Sequence, residues 1–252
     1  MRLKHESNKA MKMDRRKFLV TGVLASAGLN SVPTTAQETN QKPTTAEKAT
    51  PGEVVRKRGR EDLDLVFAFV GAGHNNLPRV KELLAQDPHF VLAAWDWGGG
   101  DWETAFGGAS HTGHPEIAKY LLSQGARMDS FCAAMLGQRD VITAMLAAEP
   151  LVATTKGPHG YTLLYHAAIS GDVAIAESLK PHLPKDANDY NQALSAAARD
   201  GRLAMTSWLL KNGVTNPNLP DVFKKTPLAI ALAKGFNDVA EELRRHGARE
   251  NG

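Results

Sequence analysis

The chain has 252 residues, 42% of them hydrophobic, which is enough for a sizeable core, and its formal net charge is +3. That charge is local: residues 1–36 hold seven Lys/Arg against two acids, while the rest of the chain holds 23 against 25. Apart from the N-terminal segment there is therefore no electrostatic footprint of a nucleic-acid binder, and the single cysteine, Cys132, excludes an intramolecular disulfide and any multi-cysteine metal site.

The N-terminus reads as an address. Asp14-Arg15-Arg16-Lys17-Phe18-Leu19-Val20 leads into a short apolar run ending at Leu29, and Ser31-Val32-Pro33-Thr34-Thr35-Ala36 supplies small residues for cleavage. Basic, apolar and small-residue regions in that order make a secretory signal. The core Arg15-Arg16-x-Phe18-Leu19 resembles a twin-arginine signal, which implies export of an already folded chain to the periplasm. The apolar run, interrupted by Gly22, Ser26 and Gly28, is too short to span a bilayer, so no stable membrane anchor is expected once residues 1–36 are removed. Residues 37–60 are rich in Thr, Pro and charge and lack apolar periodicity; such a segment cannot bury enough surface to offset its ordering entropy and is expected to be a disordered linker.

From residue 61 to 252 one pattern recurs. A small residue that closes a first helix stands at Asn75, Gly113, Gly137, Gly171, Gly201 and Gly235, at spacings of 38, 24, 34, 30 and 34 residues. Each is followed by an amphipathic second helix, such as Leu77, Val80, Leu83 and Leu84, then Ile117, Leu121 and Leu122, and finally Val239 and Leu243. Three or four residues before each closing position comes another small residue: Gly71 or Ala72, Ala109, Ala133, Ala167, Ala197 and Ala231. Small side chains there let first helices stack closely, so this column predicts packing. The last unit is the clearest: Thr226 is a side-chain cap, Pro227 at the first helical position gives up only an orphan N–H, and Gly235 offers the positive φ that ends the helix.

The wording Thr226-Pro227-Leu228-x-x-Ala231-x-x-x-Gly235, with terminal Gly247-Ala248, resembles the ankyrin repeat. The resemblance implies an all-α solenoid of about six helix-turn-helix repeats, with about twelve short antiparallel helices and projecting turns. It also implies a non-enzymatic, monomeric module whose concave groove binds a protein partner in the cell envelope. Mapped onto the repeat pattern, the groove is expected to present His74, Trp97, Asp101, Trp102 and Glu103 from the first junction, with His111 and Thr112 beside them. Further along come His159 and Tyr161, then Asp189, Arg199 and Asp200, then Phe223, Lys225 and Lys234. Three departures stand out. The first repeat lacks the Thr-Pro-Leu opening, as a capping repeat does. The third is short between Gly125 and Ala133, and the first junction is lengthened by Trp95-Asp-Trp-Gly-Gly-Gly-Asp-Trp102.

That tryptophan loop supports two readings. Trp95 and Trp102 pack beneath it as local core, or the loop, through Trp97, binds a protein anchor, a glycan or another small molecule. A metal site is not expected: His74 and His111 face one groove and His159 sits at a finger tip, but adjacent repeats supply only two obvious ligands where zinc needs three or four. His114 is read as a helix-start residue. No cofactor and no catalytic group is expected, because Ser110, Ser170 and Ser195 lack a nucleophile elbow and Asp96 and Asp101 lie on an exposed loop. Cys132 is read as a buried hydrophobe, and Glu241-Glu242-Leu-Arg244-Arg245 as the solvated face of the last helix.

Overall fold

A computed structural model describes residues 60–183 and 187–250. The signal segment with Arg15 and Arg16, and nearly all of the expected linker, lie outside the described residues. The described residues form twelve helices and one two-stranded hairpin. The helices are α1 (Arg60–Ala72), α2 (Leu77–Gln86), α3 (Ala105–Thr112), α4 (Pro115–Ser123), α5 (Ser130–Met135) and α6 (Arg139–Ala148), then α7 (Leu163–Ser170), α8 (Val173–Leu179), α9 (Ala187–Arg199), α10 (Leu203–Asn212), α11 (Pro227–Lys234) and α12 (Asn237–Arg245). The hairpin, β1 (Ala94–Asp96) and β2 (Trp102–Thr104), lies between α2 and α3 and amends the all-α expectation. No described helix is long and apolar enough to cross a membrane.

Local chemistry sets the helix boundaries. Thr104, Asp129, Thr162 and Thr226 each accept a backbone N–H three residues on, from Gly107, Cys132, Tyr165 and Ala229 respectively. Helices α3, α7 and α11 stop at Gly113, Gly171 and Gly235, whose φ values of 79°, 78° and 77° are left-handed. Asn75 does not take that role in the first unit: it has no positive φ, and α1 already ends at Ala72.

The helices pack in consecutive pairs, α1 with α2 through α11 with α12, and in two rows. Each odd-numbered helix packs against the next odd-numbered one, while α2 meets α4, α6 meets α8, α8 meets α10 and α10 meets α12. Ala109, Ala133, Ala167, Ala197 and Ala231 are fully buried within the odd-numbered row, as the small-residue column requires. Helix α5 has six residues against eight in α3 and α7, and α3 reaches past it to touch α7. A side chain at Gly113 would meet Ile169 and Arg199, so the ends of α3, α7 and α9 converge.

Two further expectations change. Trp102 is 62% exposed rather than packed beneath its loop, whereas Trp95 is half-buried against the core with its ring 5.3 Å from Phe67. Glu242 is buried rather than solvated: it accepts from Ser207 Oγ at 2.5 Å and pairs with Arg245 at 2.8 Å, and these partners hold its carboxyl below the usual range.

Candidate functional site

The hairpin aims the first group of side chains. Trp95 pairs with Glu103 across β1 and β2. The Gly98-Gly99-Gly100 tip has φ values of 126°, 69° and 88° and is fastened by Asp96, whose Oδ1 accepts from the N–H groups of Gly98 and Gly100. Side chains alternate along a strand, so with Trp102 outward Glu103 points inward, and its side chain is fully buried. Thr104 then caps α3, which carries His111 in its last turn.

Room for this arrangement is made by Gly107 and Gly108, two glycines inside a helix, where glycine is disfavoured. A Cβ at Gly107 would lie 3.3 Å from the Glu103 side chain, and one at Gly108 would lie 2.9 Å from His74 Nδ1. Larger residues there would displace both groups.

His159 enters from a finger at Pro158–Gly160, with a φ of 57° that a non-glycine residue seldom adopts. Asp101 holds it there: its carboxylate accepts the His159 backbone N–H at 2.9 Å and contacts Nδ1 at 2.7 Å. The result is a close cluster of His74, Glu103, His111 and His159, each offering a donor atom within 4.8 Å of all the others. Glu103 lies 3.2 Å from His74 Nε2, 2.9 Å from His111 Nδ1 and 3.5 Å from His159 Nε2, and its Oε2 accepts the Trp97 indole N–H at 2.7 Å. Burial alone would push the Glu103 carboxyl up, but the close contacts and charge of His111 and His74 hold it well below the carboxylate range. Burial likewise lowers the His74 pKa, and the contact with Glu103 more than reverses it.

The sequence reading expected two converging ligands; the fold supplies four. His74 and Glu103 are separated by 28 residues that include α2, and His159 follows Glu103 by 56 positions, so only tertiary packing joins them. The legible signal was the Gly107-Gly108 pair within a helix, which announces that something bulky lies against it.

The three histidines form one end of a groove of about 830 Å³. An aromatic wall continues from them: Tyr161 stacks on His111 at 5.6 Å and on Tyr165 at 4.1 Å. The Tyr165 hydroxyl donates to the His111 carbonyl at 3.2 Å and accepts from Arg199 Nη1 at 3.1 Å, while Arg199 Nη2 pairs with Asp200 at 2.9 Å. The far end is built by the 219–225 finger and α11, where Val222 and Phe223 are 75% and 77% exposed. Asp221 shapes that finger by accepting the N–H groups of Phe223 and Lys225.

Nine of the expected groove residues line this groove: His74, His111, Thr112, His159, Tyr161, Arg199, Phe223, Lys225 and Lys234. The other six do not. Glu103 is buried, Trp97 covers it, Asp101 braces His159 and Asp200 braces Arg199. Asp189 lies on α9 outside the lining, and Trp102 turns toward a separate hollow of about 370 Å³ beside Phe131. The tryptophans therefore have three different settings and share no binding tip. Sequence reasoning missed Tyr165, Asn191, Gln192, Ser195, Val222 and Ile230 in the lining. The α9 members recur at spacings of three and four with Arg199, a helical stripe that could have marked them.

Cys132 is fully buried, and burial, then the charge of Asp129, push its thiol far above the ordinary range. No family pattern and no curated protein matches the chain.

Proposed function

We propose that this chain is an exported, non-enzymatic interaction module of six ankyrin-like helix pairs, and that it holds an extended segment of an envelope protein in its groove. The observation that carries this reading is the groove itself, about 830 Å³ with His111, Tyr161 and Tyr165 along its wall and exposed Phe223 on its far rim. Large aromatics exposed at the edge of a concave surface are the residues that supply most of the affinity at interfaces. The consecutive pairing of helices and the buried alanine column support the ankyrin-like reading, since each pair covers the next.

The groove also suggests the character of its occupant. Lys225 and Lys234 form no ion pair among the described residues, and Arg199 adds a third cation whose carboxylate partner, Asp200, lies outside the lining. A segment with an apolar or aromatic anchor and flanking acidic residues fits that surface. The test is crosslinking capture from periplasmic extract with the wild-type protein and with Tyr161→Ala/Phe223→Ala. Wild type should retain one envelope protein that the double variant loses while keeping its thermal unfolding midpoint. Equal capture by both proteins, or none by wild type, would overturn the reading.

A further inference from the structure

We propose that His74, Glu103, His111 and His159 form a structural zinc site that fastens the hairpin and the 158–160 finger to the first row of helices. Three imidazoles and one carboxylate are a donor set for a divalent transition metal, and zinc takes four such ligands in a tetrahedron. With zinc–ligand bonds of about 2.0–2.1 Å, neighbouring ligand atoms in a tetrahedron lie about 3.3 Å apart. Glu103 Oε2 stands 3.2 and 3.5 Å from Nε2 of His74 and His159, which brackets that edge length, and its Oε1 lies 2.9 Å from His111 Nδ1.

The surrounding groups orient these ligands outward in. His74 Nδ1 sits 3.2 Å from the carbonyls of both Val70 and Gly71, and His159 Nδ1 sits 2.7 Å from Asp101 Oδ2. Those acceptors place the ring protons on Nδ1 and leave Nε2 of both rings facing Glu103, the outer-partner arrangement of metal-bound histidines. With Nε2 unprotonated, these atoms meet the carboxylate oxygens lone pair to lone pair, an arrangement that a metal cation between them relieves as a proton would. A second, independent observation lies on Glu103: its Oε1 is fully buried and receives no hydrogen bond. His111 Nδ1 lies 2.9 Å from it and 3.2 Å from the Gly107 carbonyl, so on binding zinc this nitrogen gives up its proton and its Gly107 contact. An orphaned carboxylate oxygen inside a cluster of imidazoles is a coordination position.

The ligands come from four separate segments, the loop after α1, strand β2, helix α3 and the finger, so one ion closes a junction that backbone hydrogen bonds do not. The His159 backbone, held at a positive φ, is positioned for that closure.

The experiment uses the full-length protein stripped with a chelator, then titrated with ZnCl₂ against a chromophoric competitor, with CoCl₂ as a spectroscopic probe. Wild type should take up one equivalent of zinc, show the intense visible absorption of tetrahedral cobalt, and unfold at a higher temperature with metal than without. Glu103→Gln and His159→Ala should abolish that uptake and the shift in unfolding temperature. His159 lies on an exposed finger, so its variant tests the site even where a change at buried Glu103 perturbs folding. Asp101→Ala, which removes an outer partner, should weaken uptake by roughly tenfold to a hundredfold, and His182→Ala, remote from the cluster, should leave it unchanged. Absence of zinc uptake by wild type, or undiminished uptake by His159→Ala, would overturn the proposal and identify the cluster as a protonated histidine–carboxylate network.

Discussion

His166 shows how one residue ties the packing to pH. It is 1% exposed, its ring lies 5.2 Å from Phe131 and 5.5 Å from Tyr165, and its Nδ1 donates to the Thr162 carbonyl at 2.8 Å. Burial, with smaller contributions from the charges of His111 and Arg199, holds its pKa down at about 3, although the Thr162 bond opposes that shift. In the unfolded chain it titrates near 6.5, so between pH 6.5 and 3 the unfolded state binds a proton that the folded state does not, and stability falls as pH falls. His166→Asn, which carries no such proton, should remove that component. Between pH 6 and 4.5 wild type should lose up to about 1.4 kcal/mol per pH unit relative to the variant in urea unfolding. Parallel pH curves for the two proteins would contradict this account.

At the level of elements, what matters is how tightly one segment passes another. Gly73 ends the first helix with its Cα facing the start of α3, and a Cβ there would lie 2.3 Å from the Ala105 carbonyl oxygen and 2.6 Å from its Cα. Both atoms are backbone, so no rotamer change relieves the clash. Gly73→Ala should therefore destabilise by about 3 kcal/mol, at the upper end of ordinary overpacking, measured as a lower urea midpoint at unchanged slope. A neutral effect would mean that α1 and α3 slide apart easily. The short α5 is the complementary case. Two residues fewer than its neighbours, it lets α3 meet α7 and brings Arg199 of α9 within 3.4 Å of the His111 carbonyl, 88 positions away. The shortness of α5 thus helps to assemble the groove wall.

At the scale of the whole molecule, the proposed function joins an export signal in residues 1–36 to the helical unit that follows. The excess of positive charge lies in residues 1–36, and the rest of the chain holds 23 basic against 25 acidic residues. Changing Arg15 and Arg16 to Lys should leave the protein in the cytoplasm, read by fractionation and immunoblotting. Unaltered periplasmic recovery would remove the export step from the proposed function.

The sequence by itself determined what depends on near neighbours. Thr226, Thr162 and Thr104 cap helices through amides three residues away, Gly235 ends one through its own φ, and each alanine of the buried column stands one helical turn before a closing glycine. It also marked nine groove residues, because positions flanking those caps face one side. Tertiary structure alone decided the rest. Glu103 and Glu242 look like ordinary surface acids until burial against histidines or Ser207 gives them partners, and Trp102 looks like core until the strand's alternation turns it outward. The convergence of His74, Glu103, His111 and His159 depends on two glycines leaving space, on Asp101 gripping a finger 58 residues later, and on α2 returning the chain to where it left. Sequence separation carries no information about such meetings, because contacts between distant segments are fixed by packing and not by local propensity.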